Sequence, residues 1–292
     1  MSNTKKKKHP RAKSIKLKPR TCNPTRKNKK YTCYSSKGLN TLKTLWNIRH
    51  PDSKINVVGD HAIWKKLKYY LKDVCSSEEC WMRQQFAKNG LTAELTSYTF
   101  APQSPASWSK NKNEWLSSID IDKVMRQYEQ TYSKFSFLGP SPIDFNKILQ
   151  YDQCVWEELC KFNLKKLIKK NKTKIGMIFN TDPHNKPGAH WISMFVDINK
   201  KFIFFFDSAG TSPPKQIINL IDKIKNQGKE LDISFDVYIN KKSHQKNNTE
   251  CGIYSIYMIS ELLQEKKSVD YFLHNNIPDS EMFQLRNHFF NV

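Results

Sequence analysis

One segment near the end of the chain, residues 251–264, limits most strongly what this sequence can fold into. Its apolar residues recur at helical spacing and at first surround the helix almost completely: Ile253, Tyr254, Ile256, Tyr257 and Ile259. A helix that is apolar on all sides is stable only when it is buried in a core. The chain must therefore supply other elements that cover this helix.

The segments before this helix supply those elements. Runs rich in Ile, Val and Phe, each bounded by turn residues, predict strands at 175–179, 190–198, 201–206 and 233–239. Residues 197–200 are typical of the turn of a hairpin, and residues 214–226 form an amphipathic helix. We therefore predict an α+β fold in which helices cover a mixed sheet.

The first half of the chain is predicted to be mainly helical. Apolar residues recur at helical spacing in three places, 62–71, 78–88 and 119–132. Pro and Ser make 101–107 a linker, and Gly139-Pro140-Ser141-Pro142 predicts a turn that starts a helix over 143–150. We divide the chain into a tail, a helical domain and a larger second domain, at residues 1–40, 41–113 and 114–292.

The tail is strongly basic. Residues 1–30 hold 13 of the 49 Lys and Arg residues and no acidic residue, and the whole chain has a net charge of +22. Such a segment cannot bury enough apolar surface to fold by itself, so we expect it to be disordered. It is either a solubilising tail or an electrostatic arm for DNA or RNA.

Other features bear on the cellular compartment. The basic start has no apolar segment after it, which predicts no signal peptide, and no apolar run reaches the ~20 residues of a membrane span, so we expect no membrane insertion. The seven cysteines are odd in number and lack a repeated spacing; Cys75 and Cys80, with His61, are too loosely spaced for zinc. We expect a reducing, intracellular compartment in which one thiol stays free.

Four residues of the second half carry groups that can act together: His190, Asp207, Gln245 and Cys251. Cys251 opens the buried helix, where unpaired amides and the helix dipole favour a thiolate. His190 begins one strand and Asp207 ends the next, so a hairpin brings them to the same end of the sheet. The amide of Gln245, in a polar loop, is placed to hold an oxyanion together with the Cys251 N–H. A thiol, a base, an orienting carboxylate and an oxyanion donor are the parts of a cysteine hydrolase, for which we expect no metal and no other cofactor.

Two neighbouring residues are candidates for contact with a substrate. Trp191 follows the histidine and would shape a narrow channel, and Gly252 follows the cysteine and lets a substrate backbone approach closely. Taken alone, Trp191 is as typical of ordinary packing, and His190, Asp207 and Cys251 are each more typical of an ordinary structural position. Along the chain, His190 and Asp207 come before Cys251. This order excludes a papain-type sequence layout, in which the cysteine comes first.

These residues resemble the motif set of the cysteine protease clan that contains the adenovirus protease and the SUMO proteases. The match consists of His190-Trp191, Asp207 and Gln245, followed after five residues by Cys251-Gly252. Further matches around the aspartate and the cysteine are similar to the viral branch that the polyprotein-processing protease of African swine fever virus represents. The resemblance implies a papain-like core whose elements are permuted in sequence, a helical N-terminal arm domain, and cleavage after small Gly-Gly-type motifs.

Three functions follow from this resemblance and from the charge. The first is a viral thiol endopeptidase that cleaves polyprotein precursors of capsid or core proteins during virion maturation, in the host cytoplasm at assembly sites and in the virion. The second is an isopeptidase that removes SUMO or ubiquitin-like proteins. The third is a basic nucleic-acid-binding virion protein with an inert protease-like domain, against which the complete set of four residues argues, because a binding role does not need all four.

Overall fold

A computed structural model describes residues 21–25, 31–88, 90 and 93–291 of the 292-residue chain. Most of the basic tail predicted at 1–40, including residues 1–20 and 26–30, lies outside the described residues. The chain divides into two compact units, of which one ends at Ala101 and the other begins at Pro102. The domain boundaries predicted from composition stay a prediction.

The first unit is helical in its described part. Its helices are α1 (Ser36–Arg49), α2 (Asp60–Leu71), α3 (Glu78–Arg83) and α4 (Ala93–Ser97). They enclose a small core of their own, which includes Leu39, Leu42, Trp46, Ile63, Leu67 and Trp81. The helix predicted over 78–88 ends early, at Arg83, because Gln84 adopts an extended backbone and Phe86 and Ala87 then turn into the core.

The second unit contains helices and strands in a mixed order. Its elements are α5 (Ser118–Thr131), β1 (Phe135–Pro142), α6 (Glu157–Cys160), α7 (Leu164–Lys169), β2 (Lys174–Asn180), β3 (Trp191–Asp197), β4 (Phe202–Phe206), α8 (Lys215–Lys229), β5 (Asp236–Ile239), α9 (Cys251–Leu263), α10 (Val269–His274) and α11 (Asp279–Phe289). Within the described residues, five strands form one sheet in the order β1-β2-β3-β4-β5. The two outer pairs are parallel and the two inner pairs are antiparallel.

Both faces of this sheet are covered. Helix α9 lies on one face together with α5, and its residues form the centre of the larger core, with Ile253, Tyr254 and Ile256 fully buried. Helix α8 covers the other face through its apolar side. The sheet takes part in both cores because successive strand residues point to opposite faces. The predicted α+β architecture, its buried helix and its hairpin at 197–200 are confirmed.

The prediction for residues 139–150 was wrong. Residues 139–142 are not a turn that starts a helix; they end strand β1, and no α-helix follows over 143–150. The reason is that β1 pairs in parallel with β2, and the backbone N–H of Ile143 donates to the carbonyl of Asp182 instead of joining a helix. Two apolar residues of that segment, Ile148 and Leu149, are exposed.

The cysteines also differ from the expectation of a reduced chain. Six of the seven form disulfides, Cys22–Cys33, Cys75–Cys80 and Cys154–Cys160, whose Cα atoms are 5.1–6.2 Å apart. Cys251 is the free cysteine, and it is buried. In the described part of the chain, no helix combines the length and the apolar character that crossing a bilayer requires.

Candidate active site

The sheet brings His190 and Asp207 together. His190 immediately precedes β3 and Asp207 immediately follows β4, and these antiparallel strands pair Ser193 with Phe206, so both residues lie at the same edge. The Nε2 atom of His190 is 2.7 Å from Oδ1 of Asp207. Asp207 is buried and its Oδ1 also accepts a hydrogen bond from the Ala209 N–H at 2.8 Å, which fixes the carboxylate.

The orientation of the imidazole leaves its other nitrogen for Cys251. Because Nε2 faces Asp207, Nδ1 is the atom available to the thiol, with which His190 also hydrogen-bonds. Burial alone would lower the pKa of His190, but the hydrogen bonds to Asp207 and Cys251 and the charges on both raise it to about 10. The arrangement favours an imidazolium next to Cys251 at neutral pH.

Cys251 begins helix α9 and is 1% exposed. The first amides of a helix have no partner within the helix, and its positive end favours a negative group. The preceding residue, Glu250, does not cap these amides, because its carboxylate turns to Arg286, at 2.8 Å from Nε. The start of α9 is thus open to a developing negative charge.

Gln245 is fixed by a residue that sequence reasoning missed. The Ser208 hydroxyl donates to Oε1 of Gln245 at 2.7 Å, and the Ser208 carbonyl accepts from the backbone N–H groups of His244 and Gln245. Because Oε1 is occupied, the amide nitrogen Nε2 is the end of the side chain left to donate. The only sequence signal for this role was the position of Ser208 directly after Asp207.

Trp191 and Gly252 both lie next to Leu116. The Trp191 indole donates to the Leu116 carbonyl at 2.9 Å, and a Cβ atom at Gly252 would lie 3.1 Å from the Leu116 side chain. A cavity of about 580 Å³ opens beside Trp191, and its lining includes Trp115, Leu116, Pro140, Trp156 and Gly188. The segment around Leu116 was not singled out from the sequence, because its contacts with Trp191 and Gly252 span long stretches of chain.

A thiol at a helix start, an imidazole held by a buried carboxylate and a fixed amide donor can carry out nucleophilic acyl transfer without a metal. Fold and site together therefore define the class: a cysteine hydrolase on a mixed sheet covered by helices.

Comparison with known proteins identifies the family. Residues 150–291 match the model of the Ulp1 protease family, C-terminal catalytic domain. The chain is 31% identical over 290 residues to a putative thiol protease of Acanthamoeba polyphaga mimivirus, covering 92% of each chain. It is 28% identical over 234 residues to a cysteine protease of African swine fever virus, covering 75% of this chain and 84% of the relative. A crystal structure of the African swine fever virus protease has the same fold, with a TM-score of 0.65 and 24% identity over 95% of this chain and 98% of that one.

The chain belongs to the Ulp1 protease family and is a viral cysteine protease. The family and the enzyme class predicted from the four motif residues are confirmed.

Proposed function

We propose that this protease cleaves polyprotein precursors of capsid or core proteins after Gly-Gly-type motifs during virion maturation. The observation that carries the proposal is the close packing of Leu116 against Gly252, the residue after Cys251. A Cβ atom at residue 252 would lie 3.1 Å from the Leu116 side chain, and Leu116, Trp191 and Trp115 line a common cavity. Bulky side chains beside the proposed nucleophile favour a substrate whose backbone carries no large side chain there, as in Gly-Gly.

The proposed mechanism gives each of the four residues a role. The Cys251 thiolate attacks the scissile carbonyl carbon, and the oxyanion that forms accepts hydrogen bonds from the Cys251 N–H and from Nε2 of Gln245. His190, as imidazolium, gives its Nδ1 proton to the leaving amine, and a thioester to Cys251 remains. His190 then takes a proton from water, which hydrolyses the thioester and restores the thiolate. Asp207 holds the imidazole and stabilises its cationic form.

A second candidate is removal of SUMO or a similar protein from a conjugate. It is supported by the family match and by the name of a second African swine fever virus relative, "SUMO-1 cysteine protease", at 28% identity. The chemistry on an isopeptide is the same, so the two candidates differ only in what is recognised outside the active site.

One experiment separates these candidates. The full chain is incubated with a Gly-Gly-Xaa peptide and, in parallel, with a SUMO fusion, and Cys251→Ala serves as the matched control for both. If the protein is a polyprotein protease, we expect efficient cleavage of the peptide and slow or no cleavage of the fusion. If the fusion is cleaved rapidly and the peptide is not cleaved, the deconjugase is favoured. Cleavage by Cys251→Ala would contradict both candidate functions.

We also propose that the basic tail tethers the enzyme to nucleic acid at assembly sites and in the virion. The support is the charge of residues 1–30, since Lys and Arg without acidic neighbours bind phosphates in a salt-dependent manner. Such a tether would raise the local concentration of packaged substrates. Deleting residues 1–20 keeps Cys22 and its disulfide to Cys33. The deletion should leave peptide cleavage unchanged and weaken DNA binding sharply at low salt; unchanged DNA binding would contradict the tether.

A further inference from the structure

The loop of residues 245–250, here called the oxyanion loop, joins Gln245 to the start of helix α9. It has no helix or strand of its own. The position of the two proposed oxyanion donors, Gln245 and the Cys251 N–H, therefore depends on contacts that other elements make with this loop. The contacts with helix α11 occur at both ends of the loop.

Asp279, the first residue of α11, holds the beginning of the oxyanion loop. Its Oδ2 accepts hydrogen bonds from the backbone N–H groups of Lys246 at 2.9 Å and Asn247 at 2.8 Å. Its Oδ1 accepts from the Tyr254 hydroxyl at 3.0 Å. One carboxylate therefore ties the residues directly after Gln245 to the second turn of α9.

Arg286, near the end of α11, holds the other end of the oxyanion loop. Its Nε lies 2.8 Å from Oε2 and its Nη2 lies 2.8 Å from Oε1 of Glu250, and Nη2 also donates to the Thr249 carbonyl at 3.2 Å. Both side chains of this ion pair are 3% exposed. Nη1 donates to the carbonyls of Lys112 and Glu114 at 3.1 and 2.8 Å, so the guanidinium also holds the segment that leads to Leu116.

The two residues are seven positions apart, which is about two helical turns, so they face the same side of α11. We propose that α11 is a clamp that sets the geometry of the oxyanion hole, with Asp279 and Arg286 as its positioning residues. The inference rests on the proposed roles of Gln245 and Cys251. Neither positioning residue touches the reacting atoms; each acts through the backbone of the oxyanion loop.

Asp279→Ala tests the clamp, with Glu281→Ala as the matched control. Glu281 lies in the same first turn of α11, so both changes remove a negative charge from the helix start, and the bonds to Lys246 and Asn247 belong to Asp279. Asp279→Ala should lower kcat on the peptide about tenfold or more with KM changed less than twofold, because loss of one oxyanion donor costs on the order of 10²–10³ in turnover. Asp279→Asn, which keeps an acceptor oxygen, should recover most of that loss.

Two chemical probes separate positioning of the oxyanion loop from general damage. Alkylation of Cys251 by iodoacetamide needs the thiolate but no oxyanion hole, so its rate should be equal in wild type, Asp279→Ala and Glu281→Ala. Binding of N-acetylglycinal, whose adduct with a thiolate carries an oxyanion, should weaken in Asp279→Ala in parallel with kcat. Arg286→Lys keeps the buried charge but not the forked geometry, and should show the same pattern.

The clamp is wrong if Asp279→Ala and Glu281→Ala have the same kcat, or if alkylation falls by the same factor as cleavage. A wild-type chain that cleaves neither the peptide nor the SUMO fusion would count against the proposed function alone. The comparison of alkylation with N-acetylglycinal binding still decides the clamp in that case, because neither probe needs a peptide substrate.

Discussion

His190 and Asp207 lie at the ends of two paired strands, whereas Gln245 and Cys251 lie at the two ends of a loop held by side chains. In the first pair, the backbone ladder between β3 and β4 brings the imidazole and the carboxylate to 2.7 Å. In the second pair, the geometry depends on side chains from elsewhere in the chain. Ser208 lies just after β4, and Asp279 and Arg286 belong to α11.

The difference shows two ways to build one site. A strand register is fixed by many hydrogen bonds at once, so single side-chain changes leave it in place. A loop held by a few side chains is sensitive to each of them, and a buried ion pair such as Glu250–Arg286 is costly to break at one partner. We therefore expect the strand half of the site to tolerate substitutions nearby, and the loop half to lose activity through residues that never contact substrate.

The largest effect is expected from Cys251→Ala. Loss of the proposed nucleophile should lower turnover of the Gly-Gly-Xaa peptide by about 10⁴-fold or more. The free energy of unfolding should change by only about 1 kcal/mol, since the substitution deletes one buried sulfur atom. Peptide cleavage and thermal unfolding measure the two quantities. Substantial residual cleavage would show that another group is the nucleophile.

The next largest effect tests the loop half of the site. Gln245→Ala should reduce kcat by on the order of 10²–10³, and Ser208→Ala by about tenfold, because without Ser208 the Gln245 amide is free to rotate. Ser193→Ala is the control, since the Ser193 hydroxyl is also buried but has no hydrogen-bond partner among the described residues. Equal kcat values for Ser208→Ala and Ser193→Ala would mean that Ser208 does not position Gln245.

Asp207→Asn tests the strand half through its pH dependence. It should reduce turnover less than His190→Ala does, because the proposed role of Asp207 is to orient the imidazole without taking its proton. The pKa of His190, about 10, is raised above its ordinary value of 6.5, so the imidazolium contributes stability that is complete below pH 6.5 and is lost as the pH rises through about 10.

Removing the Asp207 charge lowers that pKa. We expect the alkaline limb of kcat/KM near pH 10 in the wild-type enzyme, where His190 loses its proton, and at lower pH in Asp207→Asn. A pH–rate profile of both enzymes makes the measurement. An alkaline limb at the same pH in both would mean that Asp207 does not set the charge state of His190.

The smallest effect is expected from Trp191→Phe. It removes the 2.9 Å bond to the Leu116 carbonyl and keeps most of the ring, so it should cost about 1 kcal/mol of stability and change kcat/KM only a few-fold. Trp156→Phe is the control, because Trp156 lines the same cavity and its indole nitrogen has no partner within the described residues. A loss above about 100-fold for Trp191→Phe would give Trp191 a direct role in holding the substrate.

Much of this architecture was readable from local patterns. The buried helix at 251–264, the hairpin around 197–200 and the amphipathic helix α8 each carry a periodicity that depends only on neighbouring residues. Strand β1 was missed because its two prolines are typical of turns, and only its parallel pairing with β2 makes it a strand. The disulfides were missed because cysteine spacing does not report the distance between Cα atoms.

The sequence by itself determined the order and chemical type of the four site residues and the covered mixed sheet, because periodicity and motif spacing are properties of the chain. The tertiary structure decided which nitrogen of His190 faces Cys251, why Gln245 presents its nitrogen, and how α11 holds both ends of the oxyanion loop. These depend on contacts such as Ser208 with Gln245 and Arg286 with Glu250, 37 and 36 positions apart. Pairings over such separations leave no local periodic signal, so they become visible only once the chain has folded.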